Sequence, residues 1–301
     1  MRCRILEDGE LDALTRELPV QVWNSLAASR LYGSTLDLVC LSRQGKAVGT
    51  WVCPLDGQDP VFARRAFRLL PYASPWVDPE LHPSARHRVV MAMAATLMER
   101  ADAVELPMDP RFGEVAALLE AGADVLCRHT RVLDTTDGAA VRSGYLPTVH
   151  NHIRAAAVRH TVERVPPERF DFARAIVGQP AEAVAARRRS GLEVDRDHPT
   201  LCLSAVDGDG VCRGQVFVLR SAATAILLHS WFDRDGTRGV PSLLVDAAIS
   251  GSAAELSALS FDFEGSVIPG IDRFMAGFGA RAAAYPQVRW QRSARSEAEL
   301  G

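Results

Sequence analysis

The chain has 301 residues, 48% of them hydrophobic and 24% charged, with a formal net charge of -3. That length suits about two domains, and the composition is that of an ordinary globular protein. The negative charge excludes a general attraction to nucleic acid or membrane, so any such contact needs a local patch.

No apolar run approaches the ~20 residues that span a bilayer, and Met1 to Asp8 lacks the apolar core of a signal peptide. The cysteines Cys3, Cys40, Cys53, Cys127, Cys202 and Cys212 form no Cys-x-x-Cys pair. They read as reduced, buried thiols, and a cytoplasmic location is expected. Lys46 is the one lysine, so arginine is the default cation here and arginine runs weigh little as signals.

Leu36 to Leu41 and Lys46 to Cys53 read as strands joined by a turn at Gln44-Gly45. Phe67 to Leu70 reads as a third, short strand. From Ser84 to Ala101, Val89, Val90, Met93, Ala94, Leu97 and Met98 recur at helical spacing. A strand (Ala103 to Pro107), a helix within Phe112 to Ala123 and a strand (Val125 to Leu133) follow. Val141 to Val158 reads as a connector, helical after Pro147. Phe170 to Ile176 and Pro180 to Arg189 read as short helices.

Leu201 to Val206 and Cys212 to Leu219 then form a hairpin around Asp207-Gly208-Asp209-Gly210, and Ala225 to Trp231 is the next strand. Pro241 to Ala254 is a helix with proline in its favoured first turn. Ser260 to Glu264, Pro269 to Ala280 and Arg281 to Trp290 read as strand, helix and strand.

The last three elements repeat those at 103–133, and Gly122-Ala123 and Gly279-Ala280 fall at the same place in each copy. Each half reads β-β-β-α-β-α-β. The expected class is therefore α/β: two tandem halves, 1–140 and 141–301, each a mixed twisted sheet flanked by helices.

That order is the order of the GNAT fold, and two fused copies resemble the Fem-type aminoacyltransferases, which use aminoacyl-tRNA to build peptidoglycan bridges. Phe261-Asp262-Phe263-Glu264-Gly265-Ser266, then Gly270-Ile271, Phe274 and Phe278-Gly279-Ala280, resembles their strand-loop-helix signature. His150-Asn151-His152-Ile153-Arg154-Ala155-Ala156 resembles the Asn-x-Arg-x-Ala segment opening their second domain, with one extra residue before the arginine.

Three departures stand out. Fem-type enzymes usually carry Phe-Lys where this chain has Phe274-Met275. Their long helical arm has no counterpart. The place of the CoA-binding Arg/Gln-x-x-Gly-x-Gly/Ala loop holds Arg234-Asp235-Gly236-Thr237-Arg238-Gly239-Val240-Pro241. Its glycines are off that spacing, and Pro241 removes one N–H donor.

Asp262 and Glu264 lie two apart on a strand, so one face is expected to carry both, at the carboxyl end where α/β ligand sites form. Either can bind an acceptor ammonium or take its proton; the alternative is that Asp262 holds the turn at Gly265. His229, ending the neighbouring strand, is the other candidate base, against a structural histidine. Tyr72, Trp76 and Asp78, with Trp231 and Ser266, are candidates for an acceptor pocket, against a loop of buried aromatics for the first three. Arg154, Arg159, Thr237, Arg238 and Gly239 are candidates for holding the donor. Arg187, Arg188 and Arg189 read first as a solvated helix face. No metal site is expected, since His150 and His152 do not share a helix face.

The resemblance implies an acyltransferase that makes an amide on a nitrogen of a small-molecule amine, and the loss of the peptidoglycan-type lysine fits a place in specialised metabolism. No tightly bound cofactor is expected, and the donor is aminoacyl-tRNA, bound by its acceptor end, or acyl-CoA. No membrane partner is expected. A binding or self-resistance protein on the same scaffold is the non-enzymatic alternative.

Overall fold

In the computed structural model, residues 2–7, 9–32, 34–56, 61–64, 70–175, 180–233, 238–264 and 268–292 are described. They fall into two compact units, one of Met1–Arg128 with Tyr285–Gly301 and the other of His129–Ala284. Among the described residues, no helix is long and apolar enough to cross a membrane.

The first unit contains β1 (Arg2–Ile5), α1 (Glu10–Glu17), α2 (Leu26–Tyr32), β2 (Thr35–Leu41) and β3 (Ala47–Asp56). It continues with β4 (Phe62–Arg64), β5 (Trp76–Val77), α3 (Pro83–Arg100), β6 (Ala103–Pro107) and α4 (Val115–Glu120). β1, β2, β3 and β4 pair antiparallel in turn, as at Cys3↔Cys40, Val39↔Thr50 and Leu55↔Ala63. β4 and β6 pair parallel at Ala63↔Val104, the sign of a crossover through α3. The hairpin expected at Gln44-Gly45 is present, and Gly45 has φ 81°. The third strand is β4; the stretch first expected there lies mostly outside the described residues.

α3 is the expected amphipathic helix. Val89, Val90, Met93, Ala94 and Leu97 are buried against the β2–β3 face. Pro83 begins it, and His82 Nδ1 accepts the Ser84 N–H at its open end.

The second unit begins inside β7 (Asp124–Asp134). It continues with α5 (Gly138–Ser143), α6 (Pro147–Ala157), β8 (His160–Arg164), α7 (Phe172–Ala175), α8 (Ala181–Asp197) and β9 (Thr200–Asp207). β10 (Cys212–Ser221), β11 (Thr224–Phe232), α9 (Val240–Ala254), β12 (Ser260–Asp262), α10 (Pro269–Ala276) and the start of β13 (Arg281–Gln291) follow. Its sheet runs β7-β12-β11-β10-β9-β8. β11 and β12 are parallel, Ala225↔Phe261, with α9 as their crossover, and the other neighbours are antiparallel.

Each unit takes its final strand from the other half of the chain. β7 pairs with β12 at Leu133↔Phe261, and β13 pairs with β6 at Val288↔Leu106. The repeat is seen in the backbone as well: Gly122 and Gly279, just past α4 and α10, are both left-handed, with φ 95° and 76°. Glycine makes that helix exit without a Cβ penalty.

Candidate active site

The candidate site lies in the second unit, at the carboxyl ends of β11 and β12. β11 and β12 pair only as far as Ile226↔Asp262. β11 runs on to Phe232, and a bulge leaves Leu228 without a β10 partner, between Val218↔Leu227 and Phe217↔His229. Among the described residues, no strand pairs with β11 on its β12 side beyond Ile226. A bulge bends and twists a strand locally, and the carboxyl ends of such parallel strands are where ligands enter these sheets.

Asp262 ends the parallel ladder. It is 2% exposed. Its Oδ1 accepts the Thr130 hydroxyl at 2.6 Å and the Glu264 N–H at 2.8 Å. Those bonds make it the residue that shapes the turn. The expected common face for Asp262 and Glu264 is not formed, because the strand ends between them. The Phe263 N–H returns to the Arg131 carbonyl at 3.0 Å, and Glu264 turns left-handed at φ 64°. A non-glycine residue held there stores about 1–3 kcal/mol of strain, and such strain gathers at functional sites. Glu264 remains partly exposed.

His229 is 5% exposed and ringed by Phe170, Phe172 and Phe217, with centroids at 6.2, 5.6 and 6.3 Å. Among the described residues, its Nε2 is buried without a hydrogen-bond partner. Burial, then the nearby Arg187 charge, pull its pKa down to about 3. The ring is therefore neutral near pH 7, though enclosed by apolar rings.

Trp231 lies on the same face. Its Nε1–H donates to Gln215 Oε1 at 2.9 Å, and the Arg174 guanidinium lies 4.6 Å from its ring centroid. Sequence reading missed Thr130, Arg174 and Gln215. Gln215 had a signal, a lone amide in the apolar run Val216-Phe217-Val218-Leu219. Thr130 had none, since its partner is 132 positions away.

Tyr72, Trp76 and Asp78 lie in the first unit, buried at 2%, 6% and 7% exposure. Tyr72 packs edge-on to Trp23 and Tyr285, with centroids 5.5 Å away in each case. The Trp51 indole N–H donates to the Ala73 carbonyl and the Asn24 amide to the Ser74 carbonyl, each at 2.6 Å. Asp78 accepts from Glu80 N–H and pairs with Lys46 at 3.3 Å. These groups hold one another, as in the buried-loop reading.

The donor candidates are scattered. Arg154 and Arg159 are exposed, Arg154 donating to Asn151 Oδ1 at 2.6 Å. Arg238 is exposed, while Gly239 is buried with φ 94°. A Cβ built on Gly239 would sit 2.4 Å from the His152 carbonyl oxygen and 3.3 Å from Ala156 Cβ. α6 thus packs directly on the first turn of α9. Thr237 and Ser266 lie outside the described residues. Among the described residues, no cluster of His, Cys, Asp and Glu is arranged to hold a metal ion.

No family model and no curated protein matches the sequence. Solved structures do. The crystal structure of FemX superposes with a TM-score of 0.69 at 11% identity, over 95% of this chain and 97% of that one. L-PGS from Bacillus licheniformis gives a TM-score of 0.59 at 9% identity, over 99% and 95%. A tandem GNAT protein from the clavulanic acid biosynthesis pathway gives 0.54 at 15% identity, over 98% and 99%. The chain has the tandem GNAT fold in its Fem-like form.

Proposed function

We propose that the chain is an amide-forming N-acyltransferase that moves an aminoacyl group from aminoacyl-tRNA to a nitrogen of a small-molecule acceptor, in specialised metabolism. The observation that carries this reading is the end of the parallel β11–β12 ladder at Ile226↔Asp262, with Glu264 held in a strained turn just past it. The two halves, 1–140 and 141–301, are read as copies of one ancestral unit, with the working site in the second.

The acceptor nitrogen attacks the ester carbonyl directly. One C–N bond forms, the carbonyl becomes an oxyanion, and N–H groups of β11 past Ile226 are the donors assigned to it. The Glu264 carboxylate takes the proton lost by the nitrogen. As the C–O bond breaks, that proton passes to the leaving ribose oxygen. Asp262 and Thr130 hold the Glu264 backbone, and His229 has a structural part, because its ring is enclosed by phenylalanines. No covalent enzyme intermediate is needed; positioning and electrostatics supply the rate.

The packing of α6 on Gly239 favours an ester donor over acyl-CoA. A pyrophosphate would need the free N–H groups of the first turn of α9. The His152 carbonyl lies against that turn, and Pro241 supplies no N–H. Transfer of a labelled aminoacyl group to a pool of amines, with wild type and Glu264→Gln, tests the reading. Label should reach the amine fraction with wild type alone; equal transfer by both proteins contradicts the role given to Glu264.

A further inference from the structure

The Trp231 indole is held by both burial and a hydrogen bond. It is 6% exposed, and its N–H is bonded to Gln215 Oε1 at 2.9 Å. Gln215 is itself saturated. Its Oε1 also accepts the Asp171 N–H at 2.8 Å, and its Nε2 donates to the Arg169 carbonyl at 3.0 Å and to Ser204 Oγ at 2.8 Å. A glutamine amide has two donors and two acceptor positions, so all four are used and the amide cannot rotate. The ring it anchors is pre-organised.

The group covering that ring is the opposite. Arg174 has a side chain 53% exposed, and among the described residues its guanidinium makes no hydrogen bond. Its nearest carboxylate oxygen, Asp171 Oδ2, is 3.8 Å away, while its charge lies 4.6 Å from the Trp231 centroid. A weakly held cation therefore occupies a rigid aromatic face, with a carboxylate beside it. Cation–π attraction and a flanking carboxylate are what recognise alkylguanidinium and alkylammonium groups.

We infer that the Trp231 face with the Asp171 carboxylate is a binding subsite for an organic cation, and that Arg174 fills it until such a ligand displaces it. Assigning this cation to the acceptor rests on the acyl-transfer reading above; binding of the cation does not. The acceptor is then an amine carrying a second, unreacted guanidinium or ammonium group. Arg174 sets specificity, because a neutral compound gains nothing by displacing it.

Calorimetric titration with butylguanidinium, using the full chain, tests the subsite. Arg174→Gln should bind the cation about tenfold more tightly than wild type, because the resident competitor is gone. Trp231→Leu added to Arg174→Gln should abolish that gain. Should the leucine variant not fold, Trp231→Phe, which keeps a weaker aromatic face, should reduce the gain several-fold. In 15N-indole spectra of Arg174→Gln, the Trp231 signal should shift with butylguanidinium and stay still with butyramide.

Equal cation affinity in wild type and Arg174→Gln would overturn the inference. So would tighter binding of adenosine monophosphate than of butylguanidinium by Arg174→Gln, which would make the ring a base-stacking platform. A cation that binds but never receives an acyl group would leave the subsite standing and sink the transfer reading. Transfer to neutral and cationic amines alike would keep the transfer reading and sink the assignment of the cation to the acceptor.

Discussion

The Thr130 hydroxyl donates to Asp262 Oδ1 at 2.6 Å, and both groups are buried, at 2% exposure each. Thr130 is on β7, the strand that begins in the first unit and ends in the second. The turn that aims Glu264 is therefore built by a residue from the first half of the sequence. Thr130→Val should leave Asp262 short of one partner and cost about 1–3 kcal/mol, read by urea unfolding. Thr130→Ser, which keeps the hydroxyl, should lie within about 1 kcal/mol of wild type.

Glu264 pairs a backbone cost with its proposed chemical role. Glu264→Gly relieves the φ of 64°, so the protein should melt at the same temperature or slightly higher, by up to about 1 kcal/mol. Acyl transfer should fall about 10²–10⁴-fold, the usual worth of a general base. A variant that keeps full transfer would remove Glu264 from the reaction.

His229 predicts an acid limb in stability. Its folded pKa of about 3 lies below an unfolded value of about 6.5. Between those values the unfolded chain binds the proton and the folded chain does not, so stability rises with pH there. This contribution is fully present above about pH 6.5 and falls as the pH drops toward 3. His229→Phe should flatten that part of the curve of melting temperature against pH and leave the neutral end little changed. An unchanged acid limb would mean that the ring meets solvent.

Gly239 carries two constraints at once, a φ of 94° and the His152 carbonyl at 2.4 Å from any added Cβ. Gly239→Ala should destabilise by about 2 kcal/mol or more, seen as a lower melting temperature. If α6 is what keeps CoA out, loosening it should raise the affinity for acetyl-CoA. Unchanged stability would mean that α6 does not rest on this turn.

Much of the fold was legible because its signals are local. The helical spacing through Val89, Met93 and Leu97, the turn at Gly45 and the paired exits at Gly122 and Gly279 each depend on neighbours a few residues away. The N-terminal β1, α1 and α2 and the strand β8 were not read. Arg2–Ile5 and His160–Arg164 are short and half-exposed, and long-range pairing with Leu38–Leu41 and Leu203–Asp207 makes them strands.

The site was half legible. Residue type and position in the order of elements pointed to Asp262, Glu264, His229 and Trp231. Their roles were set by contacts that spacing does not encode: Thr130 on Asp262, three phenylalanines around His229 and Arg174 on Trp231. Tyr72, Trp76 and Asp78 show the limit from the other side, since aromatics beside a carboxylate read the same whether they line a pocket or fill a core.

The central claim is that the donor is an aminoacyl ester of tRNA. Binding of labelled aminoacyl-tRNA at near-physiological salt, with deacylated tRNA and acetyl-CoA as competitors, tests it most directly, because dilute buffer inflates phosphate contacts. The account predicts saturable binding that requires the aminoacyl ester and is not displaced by acetyl-CoA. Binding of acetyl-CoA, with none of aminoacyl-tRNA, would contradict it.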